Sequence, residues 1–124
     1  MAKILLVEDE VSMSHVLSER LQAEGYQVTV ADEAEKALEI LKTNDTDLII
    51  VDLRLPGITG LEMLDAMRED EAIEHERIRV VVLTNVDDQI VQKYVAAKDY
   101  DYLIKTENSL DDIASFVATR LAKT

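Results

Sequence analysis

Leu48-Ile49-Ile50-Val51-Asp52 joins an unbroken apolar run to an acidic residue that follows it directly. A run of this length, without alternating polar residues, is typical of a strand covered by helices on both faces. Ile4–Val7 and Val80–Leu83 have the same character, while Tyr26–Val30 and Tyr102–Ile104 are weaker strand candidates. We therefore expect five strands, three of them buried on both faces.

Apolar residues recur at helical spacing in the segment that follows each expected strand. In chain order they are Val16, Leu17 and Leu21; Ala34, Ala37, Leu38 and Leu41; Leu61, Leu64 and Met67; Ile90, Val91, Tyr94 and Val95; and Leu110, Ile113, Val117 and Leu121. Gly25 suits a helix C-terminal cap, Pro56-Gly57 a turn, and Ser109 with Asp112 a capping box. This alternation predicts an α/β fold with a parallel sheet, right-handed crossovers and helices on both faces.

Length and composition limit the class of protein. The chain has 124 residues, 48% hydrophobic and 31% charged, and we expect one domain, residues 1–124, without linker or repeat. The absence of cysteine excludes disulfides and thiolate metal sites. A net charge of -13 argues against binding to nucleic acid phosphates, and no apolar run reaches the roughly 20 residues of a membrane span. We expect a soluble, cytoplasmic protein whose partners are proteins or cations.

Chemically active side chains follow four of the expected strands. They are Glu8, Asp9 and Glu10 after the first, Asp52 after the third, Thr84 after the fourth and Lys105 after the fifth. Ligands of parallel α/β sheets bind outside the carboxyl ends of the strands, so we expect these groups to converge there. Taken singly, Asp52 suits an Asx turn, Thr84 a helix N-cap and Lys105 an exposed lysine. Only their combination points to a site.

Carboxylates gathered at one edge predict a bound cation. Two of them about 4 Å apart repel by roughly 4 kcal/mol at an effective dielectric near 20, so the site should take up a proton or a metal. Oxygen ligands favour Mg2+, Mn2+ or Ca2+, and Mg2+ characteristically leaves positions for water and phosphate. An aspartate oxygen could then attack a phosphoryl group, with Thr84 and Lys105 binding the phosphoryl oxygens.

Four segments, in their order and spacing, resemble the receiver domain of bacterial two-component response regulators over essentially the whole chain. They are Ile4–Glu10, Val51–Gly60, Val82–Thr84 and Asp101–Lys105. The resemblance implies a flavodoxin-like (βα)5 fold, a doubly wound sheet with strand order 2-1-3-4-5.

The resemblance also implies roles for individual residues. Asp52 matches the phosphoacceptor, and Thr84 and Lys105 match the groups that bind its phosphoryl. Asp9 and Asp52 match the direct Mg2+ ligands together with the backbone carbonyl of Arg54, and Glu8 matches the outer acid; Mn2+ would suit the same set. Tyr102 matches an aromatic that rotates inward when the Thr84-type hydroxyl moves onto the phosphoryl.

The implied function is signalling rather than enzymatic turnover, although such a domain assists its own phosphorylation and dephosphorylation. The donor would be a histidine kinase, a phosphotransfer protein or a small acyl phosphate. Phosphorylation would switch the surface of the fourth helix, fifth strand and fifth helix toward a downstream protein. We expect a stand-alone receiver, monomeric or weakly dimeric when phosphorylated, because no effector domain follows the last predicted helix.

Three residues depart from the receiver pattern. Thr106 stands where proline usually follows the lysine, Asn85 replaces the usual small residue after the hydroxyl, and Lys98 replaces a glycine at the end of the fourth helix. At Thr106 we expect a trans or strained loop, since the proline bond is often cis and a non-proline cis bond costs about 2.5–4 kcal/mol.

Three other functions compete with the phosphoacceptor. A haloacid dehalogenase-type phosphatase would need an Asp-x-Asp motif, but Arg54 occupies the second position. A flavodoxin-like cofactor binder would need a phosphate loop where Glu8-Asp9-Glu10 stands. A receiver fold that only binds a partner, independently of phosphorylation, stays open as the alternative.

Overall fold

The computed structural model describes residues 1–122, which form five strands and five α-helices in strict alternation. The strands are β1 Lys3–Val7, β2 Gln27–Ala31, β3 Leu48–Val51, β4 Arg79–Thr84 and β5 Asp101–Ile104. The helices are α1 Val11–Ala23, α2 Ala34–Thr43, α3 Gly60–Glu69, α4 Gln89–Ala97 and α5 Leu110–Ala122, with short 3-10 turns at His75–Arg77 and Lys105–Glu107. Within that part of the chain, no helix is long and apolar enough to cross a membrane.

All five strands are parallel and lie in the order β2-β1-β3-β4-β5. Val51 of β3 pairs with Val7 of β1 on one side and with Val82 of β4 on the other. Thr84 and Ile104 are the last pair between β4 and β5. The predicted fold and strand order are confirmed, and the register aligns the carboxyl ends of the central strands.

The sheet separates two hydrophobic cores because successive strand residues point to opposite faces. On one face, Leu5, Val7, Ile49 and Val51 pack in a core that also contains buried residues of α2, α3 and α4. On the other face, β1, β3 and β4 contribute buried residues to a core shared with α1 and α5. Helices therefore cover both faces, as the unbroken apolar runs predict.

Three apolar helix positions were predicted for the buried faces but are exposed: Val16, Ile90 and Tyr94. In α4, Val95 is fully buried and Val91 is half-buried, whereas Ile90 is 80% exposed. Ile90 and Tyr94 are four residues apart and form the row beside Val91 and Val95, turned away from the sheet. Spacing alone does not tell which of two adjacent apolar rows faces the core.

Helix ends agree with the sequence in part. Gly25 has a φ of 97° beyond the end of α1, and Ser109 and Asp112 form reciprocal capping hydrogen bonds of 3.0 Å at α5. Thr84 does not cap α4, because Asp88 does so by accepting the N–H groups of two helix residues. Helix α4 ends without glycine, since Asp99, beyond Lys98, takes the left-handed conformation at φ 61°.

Candidate functional site

Four of the side chains predicted at the strand ends contact one another at one edge of the sheet. Glu8 follows β1 directly, Asp52 follows β3, Thr84 is the last residue of β4, and Lys105 follows β5. Glu8, Asp52 and Thr84 are buried, with Glu8 only 3% exposed. Because parallel strands end at the same level, residues far apart in sequence contact one another here.

Asp52 is held at both carboxylate oxygens. Its Oδ1 accepts hydrogen bonds from the Thr84 hydroxyl at 2.7 Å and from the Arg54 backbone N–H at 3.0 Å, and its Oδ2 accepts from Lys105 Nζ at 2.7 Å. The Arg54 contact is an Asx turn, so the ordinary explanation of this aspartate is correct, and its role as phosphoacceptor stays a prediction. A buried carboxylate fixed by three donors is oriented rather than free to rotate.

Gly60 permits the close approach that shapes this turn, and the sequence prediction of the site did not include it. A Cβ at Gly60 would lie 2.8 Å from the Leu53 Cα and still closer to the backbone oxygen of Asp52. Its N–H donates to the Leu53 carbonyl at 3.0 Å. The glycine in the Thr59-Gly60 pair was the available signal, because glycine marks places where backbones meet. The start of α3 thus packs directly on the Asp52 backbone.

Lys105 bridges two carboxylates. Its ammonium lies 2.5 Å from Glu8 Oε1 and 2.7 Å from Asp52 Oδ2, and its side chain is 13% exposed. Burial acts to lower the pKa of Lys105, but hydrogen bonds to Asp52 and Glu8 outweigh it and raise the pKa. Burial raises the pKa of Glu8, and the hydrogen bond from Lys105 offsets this only in part. The ammonium therefore offsets part of the buried negative charge.

Glu8, Asp9 and Asp52 can present one oxygen each within 4.8 Å of one another. This donor set fits Mg2+, which takes hard oxygen ligands and few carboxylates, and Mn2+ has similar preferences. Asp9 is exposed, so the cluster opens to solvent on one side. The backbone of Arg54 lies at the site through its N–H, whereas a ligand role for its carbonyl stays a prediction.

A chain of hydrogen bonds runs from Asp52 to Tyr102. The Thr84 hydroxyl donates to Asp52 and accepts from the Val86 N–H at 3.3 Å, and the Val86 carbonyl accepts the Tyr102 hydroxyl. Burial, followed by the charges of Asp87 and Asp88, raises the pKa of Tyr102. The sequence prediction did not include the Val86 backbone, because main-chain groups leave no signal in residue type.

The three departures from the receiver pattern have defined structures. No peptide bond within residues 1–122 is cis, so the Lys105–Thr106 bond is trans. The N–H of Thr106, which proline would lack, donates to the Asn85 side-chain oxygen at 3.1 Å. Lys98 is followed by the left-handed Asp99 in place of a glycine cap. None of these residues displaces a group that contacts Asp52.

Comparison with known proteins agrees with the geometry. The chain is 32% identical over 104 residues to the chemotaxis protein CheY of Pseudomonas aeruginosa. The aligned region covers 83% of this chain and 83% of CheY. It is 33% identical over 98 residues to the probable transcriptional regulator ycf27 of Porphyridium aerugineum, but spans only 40% of that protein against 79% of its own length.

Solved receiver domains have the same fold. The non-phosphorylated HemR receiver domain of Leptospira biflexa superposes with a TM-score of 0.89 over 100% of this chain and 97% of its own, at 23% identity. The response regulator TrrA of Thermotoga maritima, solved in complex with Mg(2+)-BeF, has a TM-score of 0.79 at 29% identity over 98% of this chain and 99% of its own. A family model for the response regulator receiver domain matches residues 4–117, and the chain therefore belongs to the receiver domains of two-component response regulators.

Proposed function

We propose that this receiver domain accepts a phosphoryl group on Asp52, in an Mg2+-dependent reaction, from a histidine kinase or phosphotransfer protein. The observation that carries the proposal is the environment of the Asp52 carboxylate. It is buried, yet a hydroxyl and an ammonium each lie 2.7 Å away, next to two more carboxylates. Any buried aspartate needs hydrogen-bond donors, but a structural aspartate gains nothing from two further carboxylates beside it. A carboxylate nucleophile, in contrast, needs a cation site and groups that stabilise charge on the transferred phosphoryl.

Glu8, Asp9 and Asp52, with the Arg54 backbone carbonyl, would hold the Mg2+, and Mn2+ is the expected substitute. The cation supplies charge neutralisation, so that negative phosphoryl oxygens can approach three carboxylates. An Asp52 oxygen forms the new bond to phosphorus as the bond between phosphorus and the donor nitrogen, or acyl oxygen, breaks. Lys105 and Thr84 then exchange the Asp52 oxygens for phosphoryl oxygens, which are stronger acceptors.

Transmission would follow the hydrogen bonds that already join the site to β5. A Thr84 hydroxyl that moves onto the phosphoryl loses its contact with Asp52 and shifts Val86, whose N–H it accepts at 3.3 Å. The Val86 carbonyl holds the Tyr102 hydroxyl, so the phenol moves with the loop. The surface of α4, β5 and α5 is the proposed output, directed at a downstream protein.

Receiver domains are signalling domains, and we propose that this one assists its own phosphorylation and dephosphorylation without turning over a separate substrate. It would act as a monomer or as a weak dimer when phosphorylated. The alternative is a receiver fold that binds its partner independently of phosphorylation. That alternative needs neither the Lys105 bridge nor the carboxylate cluster.

Intact-mass measurement after incubation with acetyl phosphate and Mg2+ tests the proposal. We expect one phosphoryl mass on the wild-type chain, none on Asp52→Asn, and none when EDTA replaces Mg2+. Asp45→Asn is the matched control, because Asp45 is exposed and its sequence position lies between α2 and β3, away from the site. A wild-type chain that gains no mass from acetyl phosphate or from a panel of phosphorylated kinases would refute phosphoacceptor function.

A further inference from the structure

The loop that carries Lys105 is held by two asparagine side chains. Asn108 donates its side-chain amide to the Ile104 carbonyl at 2.9 Å. Asn85 accepts the N–H of Thr106 on its side-chain oxygen at 3.1 Å. Both residues that flank Lys105 in sequence are therefore fixed by side chains from outside the strand, one of them from a different loop.

The contact between Asn85 and Thr106 joins the two loops that carry the groups on Asp52. Asn85 directly follows Thr84, and Thr106 directly follows Lys105. The paired ladder between β4 and β5 ends at Thr84 and Ile104, so this hydrogen bond connects the strands one step beyond the ladder. It thereby limits how far the Thr84 hydroxyl and the Lys105 ammonium can move apart.

The donor exists only because residue 106 is not proline, which has no N–H. Asn85 and Thr106 are both exposed, so water competes for the bond and its effect on the free energy of unfolding is small. Its effect on geometry is larger, because it holds the backbone next to Lys105, from which the side chain reaches Glu8 and Asp52. The bond is thus suited to orient Lys105 rather than to stabilise the fold.

We propose that Asn85 is a positioning residue which, through the Thr106 N–H, sets the placement of the Lys105 ammonium relative to the Thr84 hydroxyl. This inference rests on the proposed function of Asp52 for its effect on phosphorylation, but the hydrogen bond itself can be measured without phosphate.

The test compares Asn85→Ala with Asn44→Ala, a matched change of an exposed asparagine at the end of α2. NMR amide exchange at Thr106 should become about three- to tenfold faster in Asn85→Ala and stay unchanged in Asn44→Ala. Asn85→Asp keeps an acceptor oxygen and should keep the protection. The labelling rate at saturating acetyl phosphate should fall about three- to thirtyfold in Asn85→Ala, while the Mg2+ concentration at half-saturation stays constant.

The results distinguish failure of the interloop hydrogen bond, of the positioning role and of phosphoacceptor function. Unchanged exchange at Thr106 in Asn85→Ala overturns the interloop bond, and faster exchange with an unchanged labelling rate overturns the positioning role. If the wild-type chain takes no phosphoryl group, phosphoacceptor function fails by itself. The positioning of Lys105 is then decided by the chemical shifts of its side-chain Cε and Nζ, which support the inference if they change in Asn85→Ala and overturn it if they do not.

Discussion

Replacing Lys105 by methionine should destabilise the metal-free protein by about 2–4 kcal/mol at neutral pH. The ammonium lies 2.5 Å from Glu8 and 2.7 Å from Asp52, and its side chain is only 13% exposed. Removing one partner of a buried ion pair costs about 3–5 kcal/mol, because the remaining charge is left uncompensated. The expected loss of stability is smaller than this range because Glu8, whose pKa is already raised by burial, can take up a proton and relieve part of the repulsion.

Urea unfolding in EDTA measures this loss of free energy. The dependence on pH follows from Glu8. Its folded pKa is already above its ordinary value, and loss of the ammonium raises that pKa further, so the variant regains stability as pH falls. Mg2+ should stabilise the variant more than the wild type, because the cation replaces the lost charge. Lys36→Met, which removes an exposed ion pair with Asp32, should change stability by less than about 1 kcal/mol.

The reasoning is refuted if the free energy of unfolding of Lys105→Met in EDTA lies within about 0.5 kcal/mol of the wild-type value, because loss of one partner of a buried ion pair should cost more than that. A loss that grows as pH falls would equally contradict the assignment of Glu8 and Asp52 as the unbalanced charges.

Three further predictions address other parts of the site. Gly60→Ala should lower the free energy of unfolding by about 1–3 kcal/mol in urea titrations, because its Cβ would press on the Asp52 backbone; wild-type stability would contradict that packing. Asp9→Asn should reduce the rise in unfolding temperature caused by millimolar Mg2+, measured by calorimetry, and an unchanged rise would exclude Asp9 as a ligand. Tyr102 has a folded pKa above its ordinary 10.0, so its contribution to stability is present below that pH and is lost as pH rises through the folded pKa. Tyr102→Phe should flatten this alkaline loss in urea unfolding, and an equally steep loss would show that the half-buried Tyr102 phenol is not its source.

The sequence predicts the fold well where burial is two-sided. The expected β3 has the observed bounds, because strands covered on both faces must be apolar throughout. Prediction is weaker for β2, an edge strand with exposed residues that starts one residue later than expected. The convergence of Asp52 with Lys105 follows from topology alone, since the ends of parallel strands meet at one edge.

The sequence fails to predict a contact where two neighbouring residues suit the same structural role by residue type. Thr84 and Asp88 can both cap a helix by residue type, and only the path of the loop selects Asp88. The contact of Asn85 with Thr106 likewise requires the trans geometry of a loop for which proline is the usual residue. The exposed position of Ile90 depends on the rotation of α4 about its axis against the sheet. Apolar spacing does not determine whether the row of Ile90 or the adjacent row of Val91 faces the core.

The position of Lys105 after the last strand also determines when the pocket gains its ammonium during synthesis. Chains emerge from the ribosome N-terminus first, and the three carboxylates are all present once Asp52 has been added, whereas the ammonium arrives only with Lys105. At about 5–20 residues per second, the interval is roughly 3–10 s. β4 is made within that interval and β5 only at its end, so until β5 pairs with β4 the acids lack the Lys105 ammonium. If Asp52 is the phosphoacceptor that we propose, we expect a chain to become a competent acceptor only after β5 has docked and brought Lys105 to the site.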